Sequence, residues 1–111
     1  MWKSKKDTSG ITIITPPKSI NYDTVEDFKK FIQELAGKSE NKMVINMKQA
    51  VYIDSSGLGM LVKAATDMRD SGGDLRLAHL NPSIEDVIKI TNLNKVFKIY
   101  EDTEAAIKSY E

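Results

Sequence analysis

At 111 residues the chain is long enough to bury a core without disulfide or metal staples, and too short for two domains. Its 16 basic and 16 acidic side chains cancel, which excludes a global charge that would draw it onto nucleic acid or an anionic membrane. Cysteine is absent and histidine occurs once, so there is no thiol nucleophile and no cysteine zinc site, and little from which to build a catalytic metal centre. No cofactor or metal is expected.

The start, Met1-Trp2-Lys3-Ser4-Lys5-Lys6-Asp7, is basic but has no apolar run behind it, so it does not read as a secretory signal. No segment approaches the ~20 apolar residues of a membrane span, and a cytoplasmic protein is expected. Trp2 to Lys6 is compatible with a short edge strand, where lysines discourage pairing with other chains. Ile11 to Thr15 is rich in β-branched residues and is closed by Pro16-Pro17, which predicts a strand. Asp23, with Glu26 three residues on, reads as a helix N-cap pair. Val25, Phe28, Phe31, Ile32 and Leu35 then mark one helical face, and Gly37 is a stop signal.

Met43 to Met47 reads as a buried strand, and Lys48 to Ile53 leads from it into Asp54-Ser55-Ser56-Gly57. Leu58, Leu61, Val62, Ala65 and Met68 recur at helical spacing until Gly72-Gly73. Leu75 to Ala78 predicts another strand, and Asn81-Pro82 a capped third helix with Ile84, Val87 and Ile88 facing inward and Asn92 closing it. Val96 to Tyr100 predicts a last short strand. Asp102-Thr103-Glu104 opens a C-terminal helix through Ala105, Ala106 and Ile107. His79 falls at the end of a strand with no second histidine or cysteine to join it, and is expected to be half exposed there.

Strands alternating with helices imply an α/β fold with a mainly parallel sheet and right-handed crossovers. The strand-to-helix loops of such a sheet share one rim, where partners and ligands bind. That rim gathers residues 16–23, 48–56 and 79–82. The expected partner surface is centred on Asp54, Ser55, Ser56, Gly57 and Leu58, with Asn21, Tyr22 and Asn81 as neighbours.

Two readings of the serine pair stand side by side. In the structural one, Ser55 is the N-cap of the second helix and accepts from an orphan backbone N–H. In the functional one, its hydroxyl is exposed at the rim, and Gly57 and Gly59 remove bulk that would obstruct a visiting surface. A nucleophile elbow is excluded by residues: Ile53 stands two before Ser55 where glycine is required, and His79 is the one histidine. No catalytic residues are expected.

The residues resemble a known family, the STAS domain, and within it the small free-standing anti-sigma factor antagonists of bacteria. The resemblance runs from about Ile11 to Ile107 of what is expected to be a single STAS domain over residues 1–111. It rests on Ile53-Asp54-Ser55-Ser56-Gly57-Leu58-Gly59, on Gly72-Gly73-Asp74-Leu75-Arg76-Leu77, and on Ile90 to Tyr100. It implies a mixed sheet of four to five strands with about four helices. It further implies a switch in which an anti-sigma factor that is also a serine kinase binds the unmodified protein and phosphorylates Ser55, and a PP2C-type phosphatase reverses the mark. ATP and magnesium then belong to the kinase. The pattern departs at Lys18-Ser19-Ile20-Asn21, where the family usually carries Gly-x-Leu/Ile-Asp before the first helix; the missing acid bears on kinase recognition and not on the fold. The competing expectation is a STAS scaffold, or a regulatory subunit of a larger complex, with no switch.

Overall fold

The computed structural model describes residues 2–37 and 42–111. Its elements in chain order are β1 (Lys3–Lys6), β2 (Thr12–Thr15), β3 (Ser19–Ile20), α1 (Tyr22–Gly37), β4 (Lys42–Asn46), β5 (Tyr52–Ile53), α2 (Ser55–Asp70), β6 (Asp74–Ala78), α3 (Pro82–Ile90), β7 (Ile99–Tyr100) and α4 (Thr103–Lys108). Short 3-10 turns occupy Met47–Gln49 and Leu93–Lys95. A five-stranded sheet has the order β1-β2-β4-β6-β7, and β3 and β5 form a separate two-stranded pair. Among the described residues only β1 runs antiparallel within the larger sheet, as an edge strand against β2. The expected α/β class, its mainly parallel mixed sheet and its four helices are all found.

Period-two alternation sorts the strand residues to two faces. Met43 and Ile45 of β4, Leu75 and Leu77 of β6 and Ile14 of β2 belong to the main core, with Phe28, Ile32 and Leu35 from α1, Leu61, Ala65 and Met68 from α2 and Ile84 and Ile88 from α3. Val44 and Ala78 point to the opposite face, where Ile11 and Ala106 of α4 complete a smaller cluster. Buried from both sides, β4 reads as the unbroken apolar run Met43-Val44-Ile45. Trp2 closes the core near β1: its ring stacks on Phe28 with centroids 4.2 Å apart, and its Nε1 donates to Thr24 O at 3.0 Å.

Two helix starts differ from expectation. Asn21, not Asp23, caps α1, its Oδ1 accepting from the N–H groups of Asp23 (3.0 Å) and Thr24 (3.2 Å). Thr24 Oγ1 accepts in return from Asn21 N at 2.9 Å, so the reciprocal partner lies at Thr24 rather than Glu26. Asp54, not Ser55, caps α2. The predicted strand Val96 to Tyr100 shrinks to Ile99–Tyr100, because the chain just before it turns through Leu93–Lys95 and spends Phe97 on the core.

At the opposite end of the sheet, Asp74 is 5% exposed and ion-paired with Arg69 at 2.7 Å and Arg76 at 3.1 Å. The Arg76 guanidinium lies 3.9 Å from the centroid of the Tyr110 ring. Tyr110 Oη, within reach of the Met43 and Asp74 carbonyls at 2.7 and 2.8 Å, joins β4 to β6; burial holds its phenol above its ordinary pKa. Among the described residues no helix is long and apolar enough to cross a membrane.

Candidate functional site

The β3–β5 pair builds the rim. Its parallel register sets Ser19 beside Tyr52 and Ile20 beside Ile53, so the residues that follow each strand, Asn21-Tyr22 and Asp54-Ser55, emerge together. Asp54 N donates to Ile20 O at 3.1 Å and Val51 N donates to Lys18 O at 2.8 Å, which ties the two approach segments along their length.

Asp54 then serves both helices. Its Oδ1 accepts from Gly57 N at 2.8 Å, capping α2, and its Oδ2 accepts from Tyr22 N at 3.1 Å in the first turn of α1. A carboxylate suits this place, because both helix N-termini present orphan N–H groups and positive dipole ends.

Gly57 has no room for a side chain. A Cβ built there would lie 2.5 Å from Ile20 O and 2.9 Å from Ile53 Cγ1. Its smallness therefore lets α2 press onto the β3–β5 pair, and the expectation that it clears space for a visitor is corrected. Leu58, at 8% exposure, likewise faces the core and shapes the turn from beneath. Gly59 is exposed with open space around it.

Ser55 is the residue left outward. It is exposed, Ser56 beside it is partly buried, and among the described residues the Ser55 hydroxyl has no hydrogen-bond partner. With Asp54 as the cap, the N-cap explanation of Ser55 falls away. Asn21 is spent on structure as well: besides capping α1, its Nδ2 donates to Ser19 Oγ at 2.8 Å. Asn81 caps α3 through Ile84 N at 2.9 Å, while its Nδ2 donates to Ala50 O at 2.8 Å and ties the third loop into the rim. His79 is partly buried at the end of β6 with a positive φ of 59°, its Nε2 accepting from Thr103 N at 3.3 Å.

Sequence reasoning placed Tyr22 at the rim but missed Val51 and Tyr52, which extend its apolar part. Tyr22, Val51 and Tyr52 are 76%, 61% and 55% exposed, and with Ile90 they are the large apolar side chains most open to solvent among the described residues. The available signal was Val51-Tyr52 at the close of an otherwise polar connection. Exposed aromatics of this kind mark interaction surfaces.

The sheet order, the paired rim strands and the aspartate-capped serine turn define a small mixed-sheet α/β domain. The sequence matches the STAS domain profile over residues 3–106, and the chain belongs to that family. A Thermotoga maritima protein named as a candidate anti-sigma factor antagonist is 31% identical, over 93% of this chain and 92% of its own. A crystal structure of a candidate anti-sigma factor antagonist from Thermotoga maritima superimposes with a TM-score of 0.90 at 30% identity, covering 98% of this chain and 93% of that one. The anti-sigma factor antagonist SpoIIAA in its unphosphorylated form shares the fold, with a TM-score of 0.76 at 15% identity over 99% of this chain and 96% of its own.

Proposed function

We propose that this protein is an anti-sigma factor antagonist of the cytoplasm, a binding module and not an enzyme, switched by phosphorylation of Ser55. The observation that carries the reading is the division of labour at the turn. Asp54 does the capping, so Ser55 is an exposed hydroxyl with no structural duty beside a rim of exposed Tyr22, Val51 and Tyr52. The names of the Thermotoga relatives support the same class.

In this reading the unmodified form binds an anti-sigma factor that is also a serine kinase, and so releases the sigma factor. The contact is made by Tyr22, Ser55 and Ser56 over a turn held in shape by Asn21, Asp54, Gly57, Leu58 and Asn81. Phosphate on Ser55 brings about −1.5 to −2 charge next to the Asp54 carboxylate, which already occupies the helix N-terminus that would otherwise favour an anion. Docking would bury that charge without a matched cation, at a cost of several kcal/mol. Inverting a 99:1 preference takes about 5.5 kcal/mol, so the scale is right. A PP2C-type phosphatase restores the binding form.

Incubation with ATP and the cognate kinase, followed by fragment-ion mass spectrometry, is expected to locate one phosphate on Ser55. Titration calorimetry of the anti-sigma factor at one salt concentration should then give wild-type affinity for Ser55→Ala, with most binding lost for the phosphorylated protein and part of it for Ser55→Asp. Phosphate on Ser56 alone would move the switch to that residue. Equal affinities for the modified and unmodified forms would leave a STAS scaffold without a switch.

A further inference from the structure

A groove of about 420 Å³ opens beside the same rim, lined by Lys3, Thr15, Pro16, Pro17, Lys18 and Gln49. Among the described residues, no carboxylate lines it. Lys3 and Lys18 are exposed, Lys5 shares a face of β1 with Lys3 by strand alternation, and exposed Lys48 adjoins Gln49. Among the described residues, none of these four lysines is in an ion pair. In a chain whose 16 basic and 16 acidic side chains cancel, this is a local separation of charge. A cleft lined by one sign of charge focuses the field of its cations. Protection of an edge strand accounts for Lys3 and Lys5 on β1 but not for Lys18, on a loop, or Lys48, in the 3-10 turn Met47–Gln49.

The backbone that lines the groove at Lys18 is bonded to the segment carrying the apolar part of the rim. The Lys18 carbonyl accepts from Val51 N at 2.8 Å and from Tyr52 N at 3.3 Å, and both of those side chains are exposed. Val51 and Tyr52, and after them the Asp54-Ser55 turn, thus follow along the segment bonded to the groove's Lys18.

We propose that this groove docks an acidic, extended segment of the protein partner, with an apolar residue of that segment seated against Val51 and Tyr52. The partner's identity as an anti-sigma factor rests on the function proposed above; the chemistry of the segment rests on the groove. Charge complementarity selects it. A nucleic acid backbone calls for a longer basic stripe than this groove offers, and an anionic membrane for a broad basic face. The lysines would act chiefly on encounter and specificity, and the apolar contact on retention.

The test uses the intact, isotopically labelled protein in a backbone-amide NMR titration. The probe is a synthetic octapeptide of glutamate and aspartate with one central leucine; its glutamine and asparagine counterpart is the control. Shifts are expected at Lys3, Thr15, Lys18, Gln49, Val51 and Tyr52 and should weaken with added salt. Affinity should fall about tenfold or more for the neutral peptide and for the Lys3→Gln, Lys18→Gln double variant. Both lysines are exposed, so the double variant should keep the wild-type spectrum elsewhere and separate loss of binding from loss of fold. Equal binding of the two peptides, no effect of the double variant, or tighter binding to phosphatidylserine vesicles or a DNA duplex than to the acidic peptide would each overturn the proposal. Ser55 phosphorylation is scored separately on the same samples. Peptide binding in a protein that the kinase never modifies upholds the acidic-segment site and removes the anti-sigma factor as its owner; Ser55 phosphorylation without peptide binding does the reverse.

Discussion

Asp54 accepts a hydrogen bond from the backbone N–H of Tyr22 at 3.1 Å, across 32 positions of chain, while its other oxygen caps its own helix. The rim's most exposed aromatic and its serine turn are thus held by one carboxylate. Asp54→Ala removes both bonds. A lost cap alone costs about 1 kcal/mol and a hydrogen bond to a charged group about 1.5 to 3 kcal/mol, so a total near 2 kcal/mol or above is expected in urea denaturation. Asp54→Asn, which keeps acceptor oxygen, should lose less. A shift for Asp54→Ala below about 0.5 kcal/mol would mean that the rim does not depend on this carboxylate.

The two glycines of the turn should respond in opposite directions. Gly57→Ala drives a methyl to within 2.5 Å of Ile20 O, and an overpacking cost of about 1 to 3 kcal/mol is expected. Gly59→Ala enters open space in a helix, where replacing glycine gains about 0.5 to 1 kcal/mol. Thermal melts of the two variants side by side decide the matter. Equal effects of the same sign would contradict the close approach at Gly57.

Leu61 is fully buried on the inward face of α2. Leu61→Ala should destabilise the domain by about 2 to 5 kcal/mol, as expected for deleting a buried leucine. Chemical denaturation with an unchanged slope provides the check. A loss below about 0.5 kcal/mol would be incompatible with its position.

Stability should fall with acid through Asp74. Burial alone raises the pKa of this carboxyl, but hydrogen bonds from Arg76 and Arg69 outweigh it and hold the folded-state value below the ordinary 3.8. The unfolded chain therefore binds the proton more readily, and the stabilisation is complete above the unfolded pKa. It drains away as pH drops from about 4 toward the lower folded-state value. Asp74→Asn should flatten this part of the acid-unfolding profile and destabilise the protein at neutral pH by leaving Arg76 without its carboxylate. Parallel wild-type and Asn profiles below pH 4 would assign the acid sensitivity to other groups.

The fold was legible because its signals repeat. Phe28, Ile32 and Leu35 on α1, and Leu58, Leu61, Ala65 and Met68 on α2, recur at the spacing that one buried helical face imposes, and all are buried. The caps were not legible to the residue. Asp and Ser are both good N-caps, so Asp54-Ser55 leaves the helix start open by one position, and Asn21-Tyr22-Asp23 leaves the other open by two; only the turn geometry decides. The β3–β5 pair escaped because two residues per strand carry no period. The importance of Gly57 was visible, but its reason was not, since Ile20 comes against it from 37 positions earlier in the chain. Asp74 offered one overlooked hint: Arg76 stands two residues on, which in a strand places both side chains on the same face.

Because α2 is seated on Ile20 with no space left at Gly57, the Ser55 turn would need no ordering to meet the partner proposed for it. A preformed surface spares the entropy that a loop would lose on association. Encounter rates should then lie in the ordinary range for docking two rigid patches, roughly 10⁵ to 10⁷ per molar per second, with little temperature-dependent lag from folding upon binding. Differences among partners would be written mainly in how long each complex lasts, so the lifetime of the bound state is where a charge added to Ser55 would be felt.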